Sequence, residues 1–148
     1  MTPAQPRSIH GIDLERVEAA IRTVEQRTSG QIRVAVARFY FWGDVRRAAD
    51  AAFARLRMNQ TRRRNGVLLF VAPRLRRFAV LGDVGIHERV SDGFWRQISD
   101  LLQIDFRAGD LTAGIEHAVG VIGDRLAEHF PPDPIGGNEL PDRVDVER

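Results

Sequence analysis

Residues 65–90 read NGVLLFVAPRLRRFAVLGDVGIHERV. This stretch begins with an apolar run at residues 67–72, which is too short for a helix of normal length and rich in strand-forming residues. A second apolar run, at residues 78–81, follows a turn that contains proline and three arginines, so the two runs predict an antiparallel hairpin. Because the first run has no polar face, we expect it to be the central strand of a sheet that helices cover on both sides.

Upstream of the hairpin, the sequence predicts a helix, a strand and a second helix, in that order. Asp13 is suited to cap the first helix, and Gly30 is placed to end it in a left-handed turn. Residues 32–37 have large apolar groups on one face only, as in a strand, and Asp44 begins a helix with an apolar stripe over residues 45–56. The first strand, the second helix and the central strand form a right-handed crossover, so the two strands run parallel.

Downstream of the hairpin, the sequence predicts two more helices. Ser91 or Asp92 caps the first, and Asp110 begins the second, which ends at Phe130 before two prolines. The complete order predicts an α/β fold with a small mixed β-sheet, in which two parallel strands and an antiparallel hairpin strand are flanked by about four helices. The outline is a Rossmann-like layered sandwich, but the chain has no glycine-rich nucleotide fingerprint.

The length of 148 residues is that of one domain, which we place at residues 11–131. Residues 1–10 should be loosely ordered, and residues 132–148 should form a flexible polar tail that is too rich in turn residues to build a core. No segment approaches the ~18 consecutive apolar residues of a membrane-spanning helix, and the N-terminus lacks an apolar core of the signal-peptide type. We therefore expect a cytoplasmic protein that is not itself transmembrane; membrane association through a partner is compatible with the same sequence.

All 22 basic residues are arginine, and their distribution along the chain is uneven. Residues 1–77 carry 16 arginines against 6 acidic residues, a net charge of +10, whereas residues 78–148 carry a net charge of −8. Such asymmetry can mark a surface for RNA or anionic lipid. It is also what two halves that attract each other within one fold would show, and we favour this second interpretation.

Several segments together resemble the TPM-domain family, whose name comes from a thylakoid-lumen phosphatase-like protein, a photosystem repair factor and a receptor-auxiliary membrane protein. The resembling segments are residues 28–34 (TSGQIRV), 64–72 (RNGVLLFVA), 78–86 (FAVLGDVGI), 94–95 (FW), 129–131 (HFP) and 138–142 (NELPD). The last of these is similar to the tail of short, single-domain bacterial members. The resemblance implies the same α/β sheet and helices that the patterns predict.

The resemblance also implies functions. Bacterial relatives often occur alongside LemA-type membrane proteins, which implies a membrane-linked protein partner. Plant relatives are described as acid phosphatases, and some members bind divalent cations through aspartates near the sheet edge. Many members have acidic residues just before the Asn-Gly of the central strand and in the hairpin turn, where this chain has Arg64 and Leu75. Both departures remove oxygen ligands that Ca²⁺ or Mg²⁺ would need, which weakens the phosphatase and metal interpretations.

One group of aromatic and arginine residues should lie beyond the carboxyl ends of the parallel strands, where ligands usually bind in open α/β sheets. The loop after the first strand reads RFYFW at residues 38–42, and the hairpin turn reads RLRR at residues 74–77. Four consecutive aromatic residues cannot all point inward, so part of this loop should be exposed. The predicted partner-binding residues are Arg38, Tyr40, Trp42, Arg74, Leu75 and Arg76. The alternative is that these side chains only cover the end of the core.

At the opposite end of the central strand, the turn GDVG at residues 82–85 should lie near the arginines of residues 62–64. One interpretation makes this turn a backbone nest for an anion, or a cation site with Asp83, Glu88 and Asp92 as metal ligands. The other interpretation pairs Asp83 with one of the arginines and is purely structural. No HxxxH, HExxH or GxSxG motif occurs and no cysteine is present, so no catalytic residue is assigned.

These observations favour a TPM-domain protein that acts as a non-catalytic interaction domain for a membrane-linked partner, such as a LemA-type membrane protein. The first alternative is a low-activity phosphatase that depends on a divalent metal, with Ca²⁺ or Mg²⁺ as the cofactor. The second alternative is binding of RNA or anionic lipid through the arginine-rich first half. No nucleic-acid motif in the sequence gives this second alternative firm support.

Overall fold

A computed structural model describes residues 7–38, 43–133 and 139–147 of the chain. The helices within these ranges are α1 (Leu14–Glu25), α2 (Val45–Arg55), α3 (Val84–His87), α4 (Asp92–Ala108) and α5 (Leu111–His129). The strands are β1 (Ser8–Ile9), β2 (Ile12–Asp13), β3 (Gln31–Ala37), β4 (Gly66–Ala72), β5 (Arg77–Gly82) and β6 (Asp145–Glu147). A turn of 3₁₀-helix, Met58–Gln60, precedes β4, and another, Pro73–Leu75, connects β4 to β5.

Four of the strands form one mixed sheet in the order β5–β4–β3–β6. β3 and β4 run parallel with Gln31 opposite Gly66, and β4 and β5 form the antiparallel hairpin with Ala72 opposite Arg77. All seven residues of β4 are buried, as expected for a central strand without a polar face. The predicted α/β fold, its parallel crossover and its hairpin are therefore confirmed.

The sheet is covered on both faces. The larger core packs α1, α4 and α5 against one face, where β4 contributes Val67, Leu69 and Val71. The smaller core packs α2 against the other face, where β4 contributes Leu68 and Phe70. None of the helices in the described ranges combines the length and the apolar character needed to cross a membrane.

Aspartates begin three of the four helices whose caps the sequence predicts, and Ser91 takes the cap position of α4 without a side-chain hydrogen bond. Asp13 accepts hydrogen bonds from the backbone N–H groups at the start of α1, Asp44 does so for α2, and Asp110 for α5. The predicted C-terminus of the first helix is wrong. α1 ends at Glu25, and the backbone of Gly30 is not left-handed. Gly30 instead lies close under Leu126 of α5, where a Cβ atom would not fit without a shift.

The C-terminal segment packs against the domain, so the prediction of a flexible tail over residues 132–148 is wrong for its described part. β6 lies parallel to β3 and adds a fourth strand to the sheet. Leu140 and Val144 are buried, and Gln31 Oε1 accepts a hydrogen bond from the backbone N–H of Leu140 at 3.1 Å. The prediction failed because a few apolar residues suffice to anchor an edge strand when distant side chains satisfy its polar groups.

The N-terminal segment is also more regular than predicted where the structure describes it. β1 pairs antiparallel with β2, and Ile9 packs against the larger core. His10 and Gly11 form the connecting turn with positive φ angles of 51° and 83°. Residues 7–10 are therefore part of a small hairpin and not a loose extension.

Ion pairs join the basic first half of the chain to the acidic second half. They connect Arg16 to Glu116, Arg27 to Asp124, Arg55 to Asp145 and Glu147, Arg62 to Asp133 and Glu139, Arg63 to Asp133, and Arg64 to Asp83. The favoured interpretation of the charge asymmetry is confirmed, since the two halves carry opposite charges that meet within one fold.

Candidate interaction site at the hairpin end of the sheet

The carboxyl ends of β3 and β4 lie at the same edge of the sheet because the two strands are parallel. Pro73 opens the 3₁₀ turn that follows β4, and Arg76 closes it in a left-handed conformation with φ of 53°. Arg74 and Arg76 are exposed and Leu75 is half-buried. The predicted hairpin-turn residues therefore lie at the expected end of the sheet and largely face solvent.

Arg38 follows β3 at the same edge and is exposed. Its backbone N–H donates to the carbonyl oxygen of Glu147 at 3.2 Å, and its carbonyl oxygen lies 2.6 Å from Nε2 of His10. The predicted residues Tyr40 and Trp42 lie outside the described residues. The structure thus brings four of the six predicted partner-binding residues to one end of the sheet.

A cleft opens between the hairpin and the helices α4 and α5, with a volume of about 680 Å³. This volume lies within the range of roughly 300–1,000 Å³ that is typical of ligand pockets. We call it the hairpin cleft and define it by Arg76, Phe78, Phe106 and Arg107, which line it. The rings of Phe78 and Phe106 meet edge to face, with centroids 5.4 Å apart.

Of the four residues that define the hairpin cleft, only Arg76 is among the predicted partner-binding residues, and Phe78 is predicted only as part of the hairpin strand. Phe106 and Arg107 lie in the last turn of α4, which ends where Gly109 adopts a left-handed conformation with φ of 85°. Phe106 falls on the inner stripe of α4, and this helical periodicity is the only local signal that it contributes to an internal surface. Its position opposite Phe78 depends on how α4 packs against β5, which the local sequence does not specify.

The hairpin cleft has positive charge and no compensating acidic residue among its lining residues. Arg76 and Arg107 are exposed. Within the described ranges, neither of these two guanidinium groups forms an ion pair, whereas many other arginines do. The cleft therefore combines an apolar floor with unpaired cations at its rim, an arrangement suited to an anionic group attached to an apolar one.

At the opposite end of β4, the carboxylate of Asp83 accepts hydrogen bonds from neighbouring residues of the fold. Its side chain is only 5% exposed, and Arg64 Nε and Nη2 donate to its two oxygens at 2.6 and 2.9 Å. The backbone N–H of Val84 donates to Oδ1 at 2.8 Å. These hydrogen bonds to Asp83 raise the pKa of Arg64 above its usual range. The purely structural interpretation of Asp83 therefore fits the geometry.

The other predicted metal ligands do not join Asp83. Glu88 and Asp92 are exposed, and no three His, Asp or Glu side chains come together as a metal-binding group anywhere in residues 7–38, 43–133 and 139–147. The backbone nest is also not formed, because the N–H of Asp83 donates to Gly66 O and that of Gly85 donates to Arg64 O. The residues of this turn thus do not fit a Ca²⁺ or Mg²⁺ site.

Comparison with known proteins places this geometry in a family. Residues 9–125 match the sequence profile of the TPM domain. Similar solved structures include the BA42 protein from the psychrophilic bacterium Bizionia argentinensis, with 34% identity, a TM-score of 0.84, and coverage of 90% of this chain and 92% of that one. No curated protein matches the chain.

Two more distant structures share the fold alone. The N-terminal domain of a P. gingivalis protein has 18% identity and a TM-score of 0.63, and the match covers 76% of this chain and 72% of that one. The N-terminal domain of the cg2496 protein from Corynebacterium glutamicum has 12% identity and a TM-score of 0.60, with 85% and 86% covered. The profile match and the BA42 likeness extend over most of the chain, and the protein belongs to the TPM domain family.

Proposed function

We propose that this TPM domain is a non-catalytic interaction domain that binds a protein partner at the hairpin cleft. The observation that carries the proposal is that two guanidinium groups and two aromatic rings line the same cleft. The guanidinium groups of Arg76 and Arg107 form no ion pair with the described residues, and the rings of Phe78 and Phe106 contact each other beside them. Arginine and aromatic side chains dominate the residues that contribute most to protein interfaces. The floor offers apolar area for a buried anchor, and the rim offers charge that steers and orients the partner.

The partner that we propose is a LemA-type membrane protein, which would hold this domain at the cytoplasmic face of a membrane. The support is the resemblance to bacterial members of the family, which often occur alongside such proteins. A partner of this kind accounts for membrane association without a spanning segment in the domain itself. Neither alternative function has a comparable observation in its favour, because Asp83 is engaged by Arg64 and many arginines of the first half are engaged in ion pairs.

The test measures binding to a LemA-type protein reconstituted in lipid vesicles. The wild-type chain should sediment with these vesicles and should not sediment with protein-free vesicles of the same lipid composition. The double variant with Trp42→Ala and Arg76→Ala should lose binding while its circular dichroism spectrum stays that of the wild type. The matched control is Arg96→Ala, which removes an exposed arginine about three turns from Arg107 at the other end of α4.

Equal sedimentation with both kinds of vesicle would contradict the proposal and indicate recognition of the lipid. Absence of sedimentation with either kind would show that the LemA-type protein is not the partner. Normal binding by the double variant would show that the hairpin end of the sheet is not the binding surface.

A further inference from the structure

The outer edge of β5 is an unpaired strand edge. β5 is the first strand in the sheet order, so one of its edges faces β4 and the other faces away from the sheet. The N–H of Asp83 donates to Gly66 O, which fixes the alternation of the antiparallel ladder. Residues 77, 79 and 81 therefore direct their backbone groups towards β4, and Phe78 and Val80 direct theirs outward.

Nothing in the described part of the chain occupies these outward groups. No described residue forms a hydrogen bond with the outward N–H or C=O of Phe78 or Val80. β5 contains no proline, and its register with β4 runs without a bulge from Gly82 to Arg77. Proline, bulges and inward charges are the usual devices that prevent an edge strand from pairing with another chain. This edge is therefore able to accept a further strand.

The free edge and the hairpin cleft are continuous, because Phe78 belongs to both. A strand that pairs with the first half of β5 must pass in front of the cleft, where alternate side chains of that strand face Phe78 and Phe106. Arg76 and Arg107, whose guanidinium groups form no ion pair with the described residues, line the same cleft. The surface therefore offers free main-chain N–H and C=O groups, an apolar pocket and two positive charges next to one another.

We propose that the outer edge of β5 accepts an extended acidic segment of a partner protein as a fifth strand. One apolar side chain of this segment occupies the hairpin cleft, and carboxylates two residues before and after it meet Arg76 and Arg107. This mode of recognition takes affinity from the main chain and specificity from pockets for alternate side chains. The inference rests on the proposed function and specifies the chemistry of its partner.

The charge of the site distinguishes this occupant from a second copy of the chain. Antiparallel pairing of two β5 strands must place outward residues opposite each other, and pairing centred on Val80 sets Arg77 of each copy opposite Asp83 of the other. The carboxylate of Asp83 is already engaged by Arg64, so a second copy brings no free carboxylate to the arginines. An acidic segment supplies the missing charges, and its extended backbone matches the outward groups of Phe78 and Val80.

The test uses the complete chain and the fluorescein-labelled peptide TETLTET, whose leucine is flanked by glutamates at the required spacing of two. Fluorescence anisotropy should show saturable binding, and the basic peptide TKTLTKT should bind at least about tenfold more weakly. The variant Arg107→Glu should weaken the binding of TETLTET by about tenfold or more, and Arg96→Glu on the same helix should leave it unchanged.

Two N-methylated forms of the peptide test strand pairing itself. One form is methylated at the threonines and the other at the leucine and glutamates, so each removes the N–H groups that point to one side of the extended peptide. Strand addition predicts that one form loses binding and the other retains it. The amide protons of Phe78 and Val80 should also exchange more slowly in the complex, whereas those of residues 79 and 81 are protected already.

Equal binding by both methylated forms would overturn the proposal, because recognition would then need charge alone. The proposal would also be overturned if a single-stranded RNA heptamer bound more tightly than TETLTET. It would be overturned as well if the chain formed a dimer through β5 that excluded the peptide. Failure of TETLTET to bind a chain that still sediments with LemA-containing vesicles would refute this inference and leave the proposed function intact.

Discussion

At the scale of the residue, the Asp83 carboxylate is a possible metal ligand whose oxygens are instead occupied by hydrogen bonds within the fold. It accepts three hydrogen bonds, two from the Arg64 guanidinium and one from the N–H of Val84. Arg64 adopts a left-handed conformation with φ of 51°, which an arginine rarely does without a compensating contact. The bidentate pair with Asp83 is such a contact, and it joins the loop before β4 to the turn after β5.

The substitution Asp83→Asn tests this structural role. The amide keeps the volume of the carboxylate but places an NH₂ group or a weaker acceptor against Arg64, and the free energy of unfolding should fall by about 1–3 kcal/mol. The loss should be the same in EDTA and in millimolar Ca²⁺ or Mg²⁺, as measured by chemical denaturation. The control is Asp92→Asn at the exposed start of α4. A loss of stability that appears only with the divalent ion would instead identify Asp83 as a metal ligand.

At the scale of the element, the contact between α1 and α5 depends on a glycine. A Cβ added to Gly123 would overlap Val24 Cγ1, whereas a Cβ added to Gly120, one turn earlier in the same helix, would have no neighbour within 4 Å. Gly123 therefore permits the close approach of the two helices. Gly120 contributes only its conformational freedom, which destabilises a helix relative to alanine.

The two glycines make a matched pair of substitutions. Gly120→Ala should raise the free energy of unfolding by about 0.5–1 kcal/mol, because alanine is the better helix former and finds open space. Gly123→Ala should lower it by about 1–3 kcal/mol, because the added methyl group forces α1 and α5 apart. Chemical denaturation of both variants measures the difference. Stabilisation by both would show that α1 and α5 do not pack as closely as described.

The elements that the sequence predicted are those with local signals. The uninterrupted apolar run of β4 indicates its burial, and the caps Asp13, Asp44 and Asp110 each act within three residues. β6 has no such signal, since its acidic side chains resemble a solvated tail. Its partner Arg55 lies 90 residues away from Asp145 in sequence.

The candidate site likewise contains some residues that the sequence indicates and others that it does not. Arg76 is recognisable from sequence because it lies in the turn of a hairpin that is itself predictable. Phe106 and Arg107 reach the same cleft only through the packing of α4 against β5, which depends on many weak contacts and leaves no spacing to recognise. Asp83 was recognisable as a functional or structural residue, but only the position of Arg64 decides between the two.

At the scale of the whole molecule, ion pairs and hydrogen bonds hold the C-terminal segment against the first half of the chain, and one of these hydrogen bonds involves a protonated carboxyl group. Glu18 accepts a hydrogen bond from the N–H of Val144 at 2.7 Å, and Arg55 pairs with Asp145 at 2.8 Å. Glu25, at the end of α1, shares a hydrogen bond with Asp142. Burial first, and then the hydrogen bond and the charge of Asp142, raise the pKa of Glu25 to about 9.

The raised pKa of Glu25 makes the free energy of unfolding depend on pH. In the unfolded chain this carboxyl loses its proton near its ordinary value of 4.5, and in the folded chain it keeps the proton to about pH 9. Between these values the folded state binds a proton that the unfolded state lacks, so the free energy of unfolding falls as the pH rises. The stabilisation is complete below pH 4.5 and is lost as the pH passes through about 9.

The substitution Glu25→Gln removes this titration and keeps a hydrogen-bond donor for Asp142. The variant should be more stable than the wild type above pH 4.5, and the advantage should grow until about pH 9, because the amide resembles the protonated acid at every pH. Melting temperatures across this range measure the effect, and Glu15→Gln on the exposed side of α1 is the control. A variant whose melting temperature changes with pH as steeply as that of the wild type would show that Glu25 does not hold the proton. The C-terminal segment would then be held by its buried apolar residues and by its contacts with Arg55, Glu18, Gln31 and Arg62.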